Sequence, residues 1–202
     1  MEFILEKPLI EDEVHGGAIH VYHNVWDDIP EIIDAIEKEA KNPDSGLFFD
    51  KAMTVSGQWD GPRQNLIMHI SECGRRGNQL AAKVHNRFGM TLDRALQGYS
   101  KKFDTPYTFH EYYSLLKYRG ANEEHYDAHF DGTTQSGRSI SAVFYLNDDY
   151  EGGEIEFVHY GVKIKPKAGS LILFPSNYAY SHIAHKVTKG TKYAIVTWVH
   201  DH

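Results

Sequence analysis

The residues most able to do chemistry lie in the segment Glu124–Gly132, which contains two overlapping His-x-Asp pairs. The pairs are His125 with Asp127 and His129 with Asp131. Residues i and i+2 of a strand point to the same face, so either pair can offer an imidazole and a carboxylate to one metal ion. Two histidines and one carboxylate on one face of an octahedron suit non-haem Fe(II) and leave positions for other ligands.

A third ligand has to come from a distant strand, and His182 and His185 are the two candidates. A His-x-Asp pair also arises by chance on a solvent-facing strand, so the pair alone does not indicate a metal site. A further signal is Lys192, a cation that lies ten residues after His182 and beyond Gly190. A non-catalytic, cupin-like metal-binding module has no need of a cation at that distance.

Short alternating runs bounded by Gly, Asn, Asp or Pro begin at Thr105, and they would have to position these side chains. We predict eight strands, at Tyr107–Tyr118, Tyr126–Phe130, Ser139–Leu146, Gly153–Phe157, Val162–Ile164, Ser170–Phe174, His182–Val187 and Lys192–Val199. Eight short strands without intervening helices favour a double-stranded β-helix (jelly roll) over a parallel α/β sheet.

The N-terminal half has a mixed pattern. It predicts a short strand over Ala18–Val25 and a helix that begins after Asp28, with Pro30 in its first turn. A second helix is expected from about Gln79 to Leu96, with Gly89 as a weak point. The expected fold is therefore mainly β, with the N-terminal helices packed on one sheet of the jelly roll. Since no linker separates the parts, residues 1–202 are expected to form one domain, with 1–105 as a support region and 106–202 as the catalytic core.

Composition excludes several classes of protein. The 202 residues carry a net charge of −7, which argues against a nucleic-acid partner because no global basic surface is available. No apolar run approaches the roughly 18 residues of a membrane span, and the start has no secretory pattern. The single cysteine, Cys73, excludes an internal disulfide and fits a reducing compartment, so a cytoplasmic location is expected.

Several motifs in a fixed order make the chain resemble the Fe(II)/2-oxoglutarate dioxygenases of the prolyl 4-hydroxylase type, over roughly residues 107–200. The matching pieces are Leu116–Arg119, Tyr126-x-x-His129-x-Asp131, Arg138 with Tyr145-Leu146-Asn147, Gly152-Gly153-Glu154-x-x-Phe157, Lys165–Phe174, and the run from His182 through Val187, Gly190 and Lys192 to Trp198. No single piece is decisive, whereas their order and spacing together are specific.

The resemblance selects one set of metal ligands. The family's tyrosine before the first histidine falls on Tyr126, which implies His129 and Asp131, and the spacing to Lys192 implies His182. The cofactors implied are Fe(II), 2-oxoglutarate as co-substrate, and O2. Ascorbate, which the family often requires to rescue oxidised iron, is a further implied cofactor.

The resemblance also implies roles for five other side chains. Lys192 would bind the far carboxylate of 2-oxoglutarate, and Tyr145 would donate a hydrogen bond to it. Tyr118 and Trp198 would line the cofactor pocket. Arg138 would lie near the target residue and donate to a backbone carbonyl of the substrate.

The implied reaction hydroxylates peptidyl proline while 2-oxoglutarate is converted to succinate and CO2, so the expected partner is a peptide or protein that contains proline. The same iron centre acting on another peptide side chain, a free amino acid or a nucleobase is the alternative within the enzyme class. Two loops, Phe48–Gly61 with Trp59 and Asp131–Gly137, are expected to cover a bound peptide. The oligomeric state is left open.

Overall fold

A computed structural model describes residues 10–15, 17–23, 26–53, 62–133 and 136–201 of the chain. The helices are α1 (Ile29–Glu39), α2 (Ile70–Arg75) and α3 (Gln79–Phe103). The strands of the N-terminal part are β1 (Ile10–His15), β2 (Ile19–His23), β3 (Asp50–Lys51), β4 (Arg63–Gln64) and β5 (Leu66–Met68). The remaining strands are β6 (Phe109–His110), β7 (Ser114–Arg119), β8 (His125–His129), β9 (Arg138–Tyr145), β10 (Glu151–Gly152), β11 (Ile155–Phe157), β12 (Val162–Ile164), β13 (Ser170–Pro175), β14 (His182–Ala184), β15 (Val187–Lys189) and β16 (Thr191–His200).

Two antiparallel sheets face each other. Within the described residues, the larger has nine strands in the order β1-β2-β13-β9-β16-β7-β5-β3, with β6 added beside β16. The smaller has five, in the order β12-β11-β14-β8-β4, and β10 pairs with β15 in a separate ribbon. Apolar side chains from both sheets, such as Ile172 and Phe157, pack in one cluster between them. The predicted jelly roll is confirmed, and N-terminal segments supply strands to both sheets.

Strand β9 shows how one sequence serves two layers. Ile140, Ala142 and Phe144 point to the face that α1 and α3 cover, and they are buried in the cluster formed with those helices. Ser141 and Tyr145 alternate with them and line a cavity between the sheets. Because side chains alternate along the strand, one face of β9 packs against the helices and the other lines the cavity.

The helices begin and end where local chemistry requires. Pro30 occupies the first turn of α1, and the Asn78 side chain accepts a hydrogen bond from the backbone nitrogen of Ala81 (2.8 Å) at the start of α3. Helix α3 continues seven residues beyond the predicted end at Leu96, because Tyr99 extends its buried face and donates to the Ala18 carbonyl (2.8 Å). Gly89 lies against Tyr113, whose hydroxyl would be 3.1 Å from an added Cβ atom.

Two predicted strands are interrupted. The run Tyr107–Tyr118 divides into β6 and β7, because the backbone nitrogen of Tyr113 turns away to donate to Ser71 (2.7 Å) and the ring packs against Phe88. The run His182–Val187 divides into β14 and β15, because the Val187 nitrogen donates to the Glu124 carbonyl (3.1 Å) instead of continuing the smaller sheet. Strand β12 has the predicted bounds. The division into residues 1–105 and 106–202 within one domain stays a prediction.

Among the residues that the structure describes, no helix combines the length and apolar character needed to cross a membrane.

Candidate active site

Strands β8 and β14 bring two histidines together from distant parts of the chain. His129 and His182 are direct cross-strand partners, and their ring centroids lie 4.3 Å apart. Asp131 follows β8 by two residues, and its carboxylate oxygens lie 3.7 Å from His129 Nε2 and 3.8 Å from His182 Nε2. One ligand atom from each of the three residues fits within 4.8 Å of the others. The structure therefore gathers the three residues that the resemblance selected.

Both imidazoles are oriented by the backbone two residues earlier. His129 Nδ1 lies 2.7 Å from the Asp127 carbonyl and His182 Nδ1 lies 3.1 Å from the Tyr180 carbonyl. A carbonyl oxygen only accepts, so each Nδ1 donates its proton and each Nε2 keeps its lone pair for the centre of the cluster. This arrangement is the usual support for a metal-binding histidine.

Asp131 is held by a buried pair of serines. Ser141 Oγ donates to Asp131 Oδ2 (2.6 Å) and lies 2.8 Å from Ser176 Oγ. The Ser176 carbonyl accepts from the backbone nitrogens of Asp131 (3.1 Å) and Gly132 (2.7 Å). A Cβ atom at Gly132 would lie 2.5 Å from the Arg138 carbonyl, so the close approach of these segments requires glycine there.

The protonation states of the cluster favour the binding of a cation. Burial acts to raise the pKa of Asp131, but the neighbouring His182 and His129 and the Ser141 hydrogen bond together hold it below its ordinary value. Burial, with a further contribution from His182, lowers the pKa of His129 to about 4, so this imidazole is neutral at pH 7. A neutral imidazole beside a carboxylate is the protonation state that metal binding needs.

Lys192 lies in the same cavity, on strand β16. Its side chain is buried, and Nζ donates to the Gly153 carbonyl (3.1 Å) and lies 4.3 Å from the centroid of the Tyr118 ring. Burial, reinforced by Lys165, lowers the pKa of Lys192 to about 7. None of the ion pairs among the described residues includes Lys192. Glu154 is near enough to oppose that shift in part, but it forms no ion pair with the ammonium, so an anionic ligand would supply the direct partner.

Two tyrosines surround the lysine. Tyr118 is its cross-strand partner on β7, and Tyr145 pairs with Ala194 two residues further along β16. Both phenols line the cavity and are buried; burial raises the pKa of Tyr118 to about 12 and raises the pKa of Tyr145 as well. They are therefore hydrogen-bond donors at neutral pH.

The cavity, of about 60 Å³, contains the His-Asp-His cluster and the lysine end within one enclosure. Two imidazoles and one carboxylate form the donor set that suits Fe(II), and the unpaired buried ammonium suits a carboxylate. The described residues thus fit both a ferrous ion and a diacid co-substrate.

Arg138 and Trp198 lie beside Asp131. The Arg138 guanidinium stacks on the Trp198 ring at 3.7 Å and donates to both carboxylate oxygens of Glu111, at 2.6 and 2.8 Å. Its remaining terminal nitrogen is 3.4 Å from the Asp131 carbonyl. Glu111 also contacts His200 Nε2 at 3.0 Å. The predicted substrate-facing arginine is therefore held by a carboxylate that sequence reasoning did not find.

The competing histidines lie outside the cluster. His125 contacts the Glu123 carbonyl (2.9 Å) and is 3.5 Å from Asp127, whereas His185 contacts Glu156 (2.7 Å). Residues 54–61 and 134–135 of the two predicted covering loops, with Trp59, lie outside the described residues.

Sequence reasoning missed Arg63 and the two serines. Arg63 lines the cavity from the short strand β4, whose two polar residues have no apolar period to reveal them. Ser141 lies on the predicted strand at a position that alternates with buried apolar residues, and that alternation is the signal that could have found it.

Comparisons with known proteins agree with this geometry. The family described as the 2OG-Fe(II) oxygenase superfamily matches residues 113–200. A PKHD-type hydroxylase of Prochlorococcus marinus is 30% identical over 165 residues, which cover 78% of this chain and 68% of the relative. Human prolyl 3-hydroxylase 2 is 42% identical over 66 residues, which cover 30% of this chain and 9% of the relative, so the match spans about a tenth of that protein.

Solved structures share the fold. A Trichoplax adhaerens prolyl hydroxylase, solved with a peptide of the hypoxia inducible factor oxygen degradation domain, superposes with a TM-score of 0.73 at 19% identity, covering 91% of this chain and 84% of that one. A Pseudomonas putida prolyl-4-hydroxylase gives a TM-score of 0.64 at 17% identity, covering 92% and 93%.

Proposed function

This chain belongs to the 2OG-Fe(II) oxygenase superfamily, and from that premise we propose that it is a prolyl 4-hydroxylase that acts on a peptide or protein substrate. It is a 2-oxoglutarate-dependent dioxygenase whose structural neighbours are prolyl hydroxylases. The observation that carries the proposal is the presence, in one cavity, of the His-Asp-His cluster and a buried lysine that makes no ion pair within the described residues.

The metal end is proposed to hold Fe(II) through His129, Asp131 and His182. When bound with 2-oxoglutarate and O2, the iron supplies the chemistry that inserts one oxygen atom into a C–H bond while the diacid becomes succinate and CO2. The chain's own contribution at this end is orientation. The two Nδ1 donations to backbone carbonyls fix the rings, and Ser141 fixes the carboxylate.

The lysine end is proposed to bind the far carboxylate of 2-oxoglutarate. The Lys192 ammonium would form a charge-assisted hydrogen bond with it, and the Tyr145 hydroxyl would donate a second. The Tyr118 ring, 4.3 Å from Nζ, keeps water from the ammonium and favours its charged form through its π face. Exclusion of water at this end strengthens the attraction between the ammonium and the far carboxylate of the diacid.

The substrate is proposed to enter beside Trp198 and Arg138. Glu111 holds two donors of the Arg138 guanidinium, and the third points towards Asp131. Arg138, held in place by Glu111, is thus proposed to donate a hydrogen bond to a backbone carbonyl of the peptide. Trp198 is proposed to pack against the target residue. The relatives named for hydroxylation of proline, in two positions of the ring, support proline as the target. Ascorbate as reductant and a cytoplasmic location stay predictions.

The test combines product detection with an inactive control. The purified protein, Fe(II) and 2-oxoglutarate are incubated with a proteome digest, and peptides that gain the mass of one oxygen atom are sequenced by mass spectrometry. We expect succinate to form in proportion to 4-hydroxyproline, with no gain in a parallel digest treated with Asp131→Ala. Oxygen on residues other than proline would reject the proposed substrate, and 3-hydroxyproline would correct the position.

A further inference from the structure

We propose that a groove beside the catalytic cavity binds an extended acidic segment of the substrate and that Arg63 binds a carboxylate of that segment. The inference rests on the proposed peptide substrate and names the chemistry that selects it. The groove, of about 640 Å³, is lined by Arg63, His69, His110, Tyr112 and Trp198 among others. Arg63 and Trp198 also line the catalytic cavity, so the two spaces share a wall.

Within the part of the chain that the structure describes, the Arg63 guanidinium is held at one nitrogen and available at the other two. Its Nε donates to Asn65 Oδ1 (3.0 Å), and the fully buried Asn65 is itself anchored by donation to the Leu66 carbonyl (2.8 Å). Among the described residues, neither terminal nitrogen of Arg63 makes a hydrogen bond or an ion pair. A guanidinium whose Nε is fixed and whose two terminal nitrogens are available matches the two oxygens of a carboxylate.

The fork lies close to the metal cluster. The Arg63 guanidinium carbon is 5.1 Å from the centroid of the Tyr126 ring, and that ring stacks on His129 with centroids 3.5 Å apart. An extended peptide rises about 3.3 Å per residue. A carboxylate bound to Arg63 would therefore come from a residue roughly two or three positions from the residue at the metal.

The rest of the groove favours an anionic peptide over a cationic one. Its described lining includes one acidic residue, Glu111, and both of that carboxylate's oxygens already contact Arg138 and His200. His69 and His110 also line the groove, where His69 Nδ1 contacts Ser114 Oγ (3.2 Å) and His110 Nε2 contacts the Tyr113 hydroxyl (3.0 Å). Arg63 is therefore the cation on which the sign of the groove depends, in a chain whose net charge is −7. A groove of this sign on an acidic protein favours acidic segments locally while the remaining surface repels them.

Exposed aromatic rings supply the apolar part of the groove. Phe109 and Tyr112 are exposed, and Tyr112 is covered on one face by the Arg75 guanidinium at 4.4 Å from its centroid. Aromatic rings beside a free arginine fork suit a peptide that carries an apolar side chain and a carboxylate close together.

The test uses pairs of synthetic peptides with one proline and one acidic residue. Aspartate is placed in turn at each of the three positions before and after the proline, and every peptide has an asparagine counterpart. At the best position we expect the aspartate peptide to have a KM about 10- to 100-fold lower than its counterpart. Arg63→Gln should remove that difference, and Arg63→Lys should restore part of it, since lysine keeps the charge but loses the fork.

Arg76→Gln is the matched control, because it removes the same charge from an exposed side chain that pairs with Glu72 outside the groove. This variant should keep the full preference for aspartate. Thermal melting establishes that each variant is folded before kinetics are compared.

A second measurement separates this inference from the proposed function. Binding of the labelled peptides to the Fe(II)- and 2-oxoglutarate-loaded enzyme is measured without oxygen by fluorescence anisotropy. An aspartate preference that disappears in Arg63→Gln supports the inference even if no proline is hydroxylated, a result that would reject only the proposed reaction. Equal or undetectable binding of the aspartate and asparagine peptides would overturn the inference. Hydroxylation of both peptides at equal rates would also overturn it, while supporting the proposed reaction.

Discussion

The two ends of the catalytic cavity balance their charges in opposite ways. At the metal end, the Asp131 carboxylate lies between His129 and His182 and accepts a hydrogen bond from Ser141. At the other end, the Lys192 ammonium has a backbone carbonyl and an aromatic ring as its neighbours. One end therefore carries a supported negative charge that suits a cation, and the other carries a positive charge that suits an anion.

The difference shows how far each end is preorganised. The metal end has the hydrogen bonds that orient its three side chains in place without the ion. The lysine end becomes electrostatically complete when a carboxylate arrives, because burial disfavours the charged ammonium on its own. We expect changes at the metal end to abolish the reaction and changes at the lysine end to alter the requirement for the diacid.

The largest effect is expected for the metal end. Replacing His129, Asp131 or His182 by alanine removes one of the three proposed metal ligands. Loss of a mere supporting partner typically reduces metal affinity or activity 10- to 100-fold. Each variant should therefore lose turnover by more than about 100-fold, measured as succinate formed with substrate present.

His125→Ala and His185→Ala are the matched controls, because these side chains contact Glu123 and Glu156 outside the cluster. Both should keep most of the turnover. If either control loses activity as strongly as the three ligand variants, the choice of histidines is wrong.

The next effect is expected for Lys192. Lys192→Met removes the cation, so the apparent KM for 2-oxoglutarate should rise about 100-fold or more, as for the loss of one partner of a buried ion pair. The same change should raise the melting temperature of the ligand-free protein, because it replaces a buried ammonium that makes no ion pair by an apolar side chain. Steady-state kinetics of succinate formation measure the KM, and calorimetric melting without 2-oxoglutarate measures the stability.

Lys189→Met is the control for the lysine end, since that side chain is exposed and pairs with Glu151. It should change neither the melting temperature of the ligand-free protein nor the KM. A destabilised Lys192→Met protein with an unchanged KM would show that this ammonium serves packing and not the diacid.

The sequence predicted these two ends unequally well. Strand periodicity left two His-x-Asp pairs open, and the family spacing with the position of Tyr126 selected His129, Asp131 and His182. The burial of Lys192 could be expected only from the resemblance. Its environment depends on Gly153, between β10 and β11, and on Tyr118 of β7, both far from Lys192 in the chain.

Elements with their own period were also predictable, whereas elements defined by distant partners were not. The buried face of α1 and the strand β12 follow from local patterns. Strand β4 has two polar residues and exists because it pairs with β8, and helix α2 is only six residues long. The contact between Glu111 and Arg138, 27 residues apart, likewise has no local signal.

The pH dependence of diacid binding sharpens the comparison. Burial lowers the pKa of Lys192 from its ordinary value of 10.5 to about 7, so the free enzyme loses this proton as the pH rises through about 7. The protonated form binds the carboxylate. The Kd for 2-oxoglutarate should therefore be constant below about pH 7 and rise by up to tenfold per pH unit above it, until the pKa of the complex is reached.

Isothermal titration with 2-oxoglutarate between about pH 6 and pH 9 measures this dependence. Lys192→Arg is the informative variant, because a guanidinium stays charged over that range and should give a flat profile. A flat profile in the unmodified protein would mean that the ammonium keeps its proton without the diacid.

The smallest effect is expected one step outside the metal cluster. Ser141→Ala removes the donor to Asp131 Oδ2 but leaves the carboxylate and both imidazoles in place, so iron affinity should fall roughly tenfold. Ser176 Oγ, 2.8 Å from Ser141 Oγ, is close enough to replace part of that support, and the double variant should therefore lose more than Ser141→Ala alone. Ser139→Ala, on the same strand but bonded to the Val199 carbonyl, is the control. Iron affinity is measured by competition with a chelator. An affinity equal to that of the unmodified protein in Ser141→Ala and in the double variant would show that the two serines do not support the metal end.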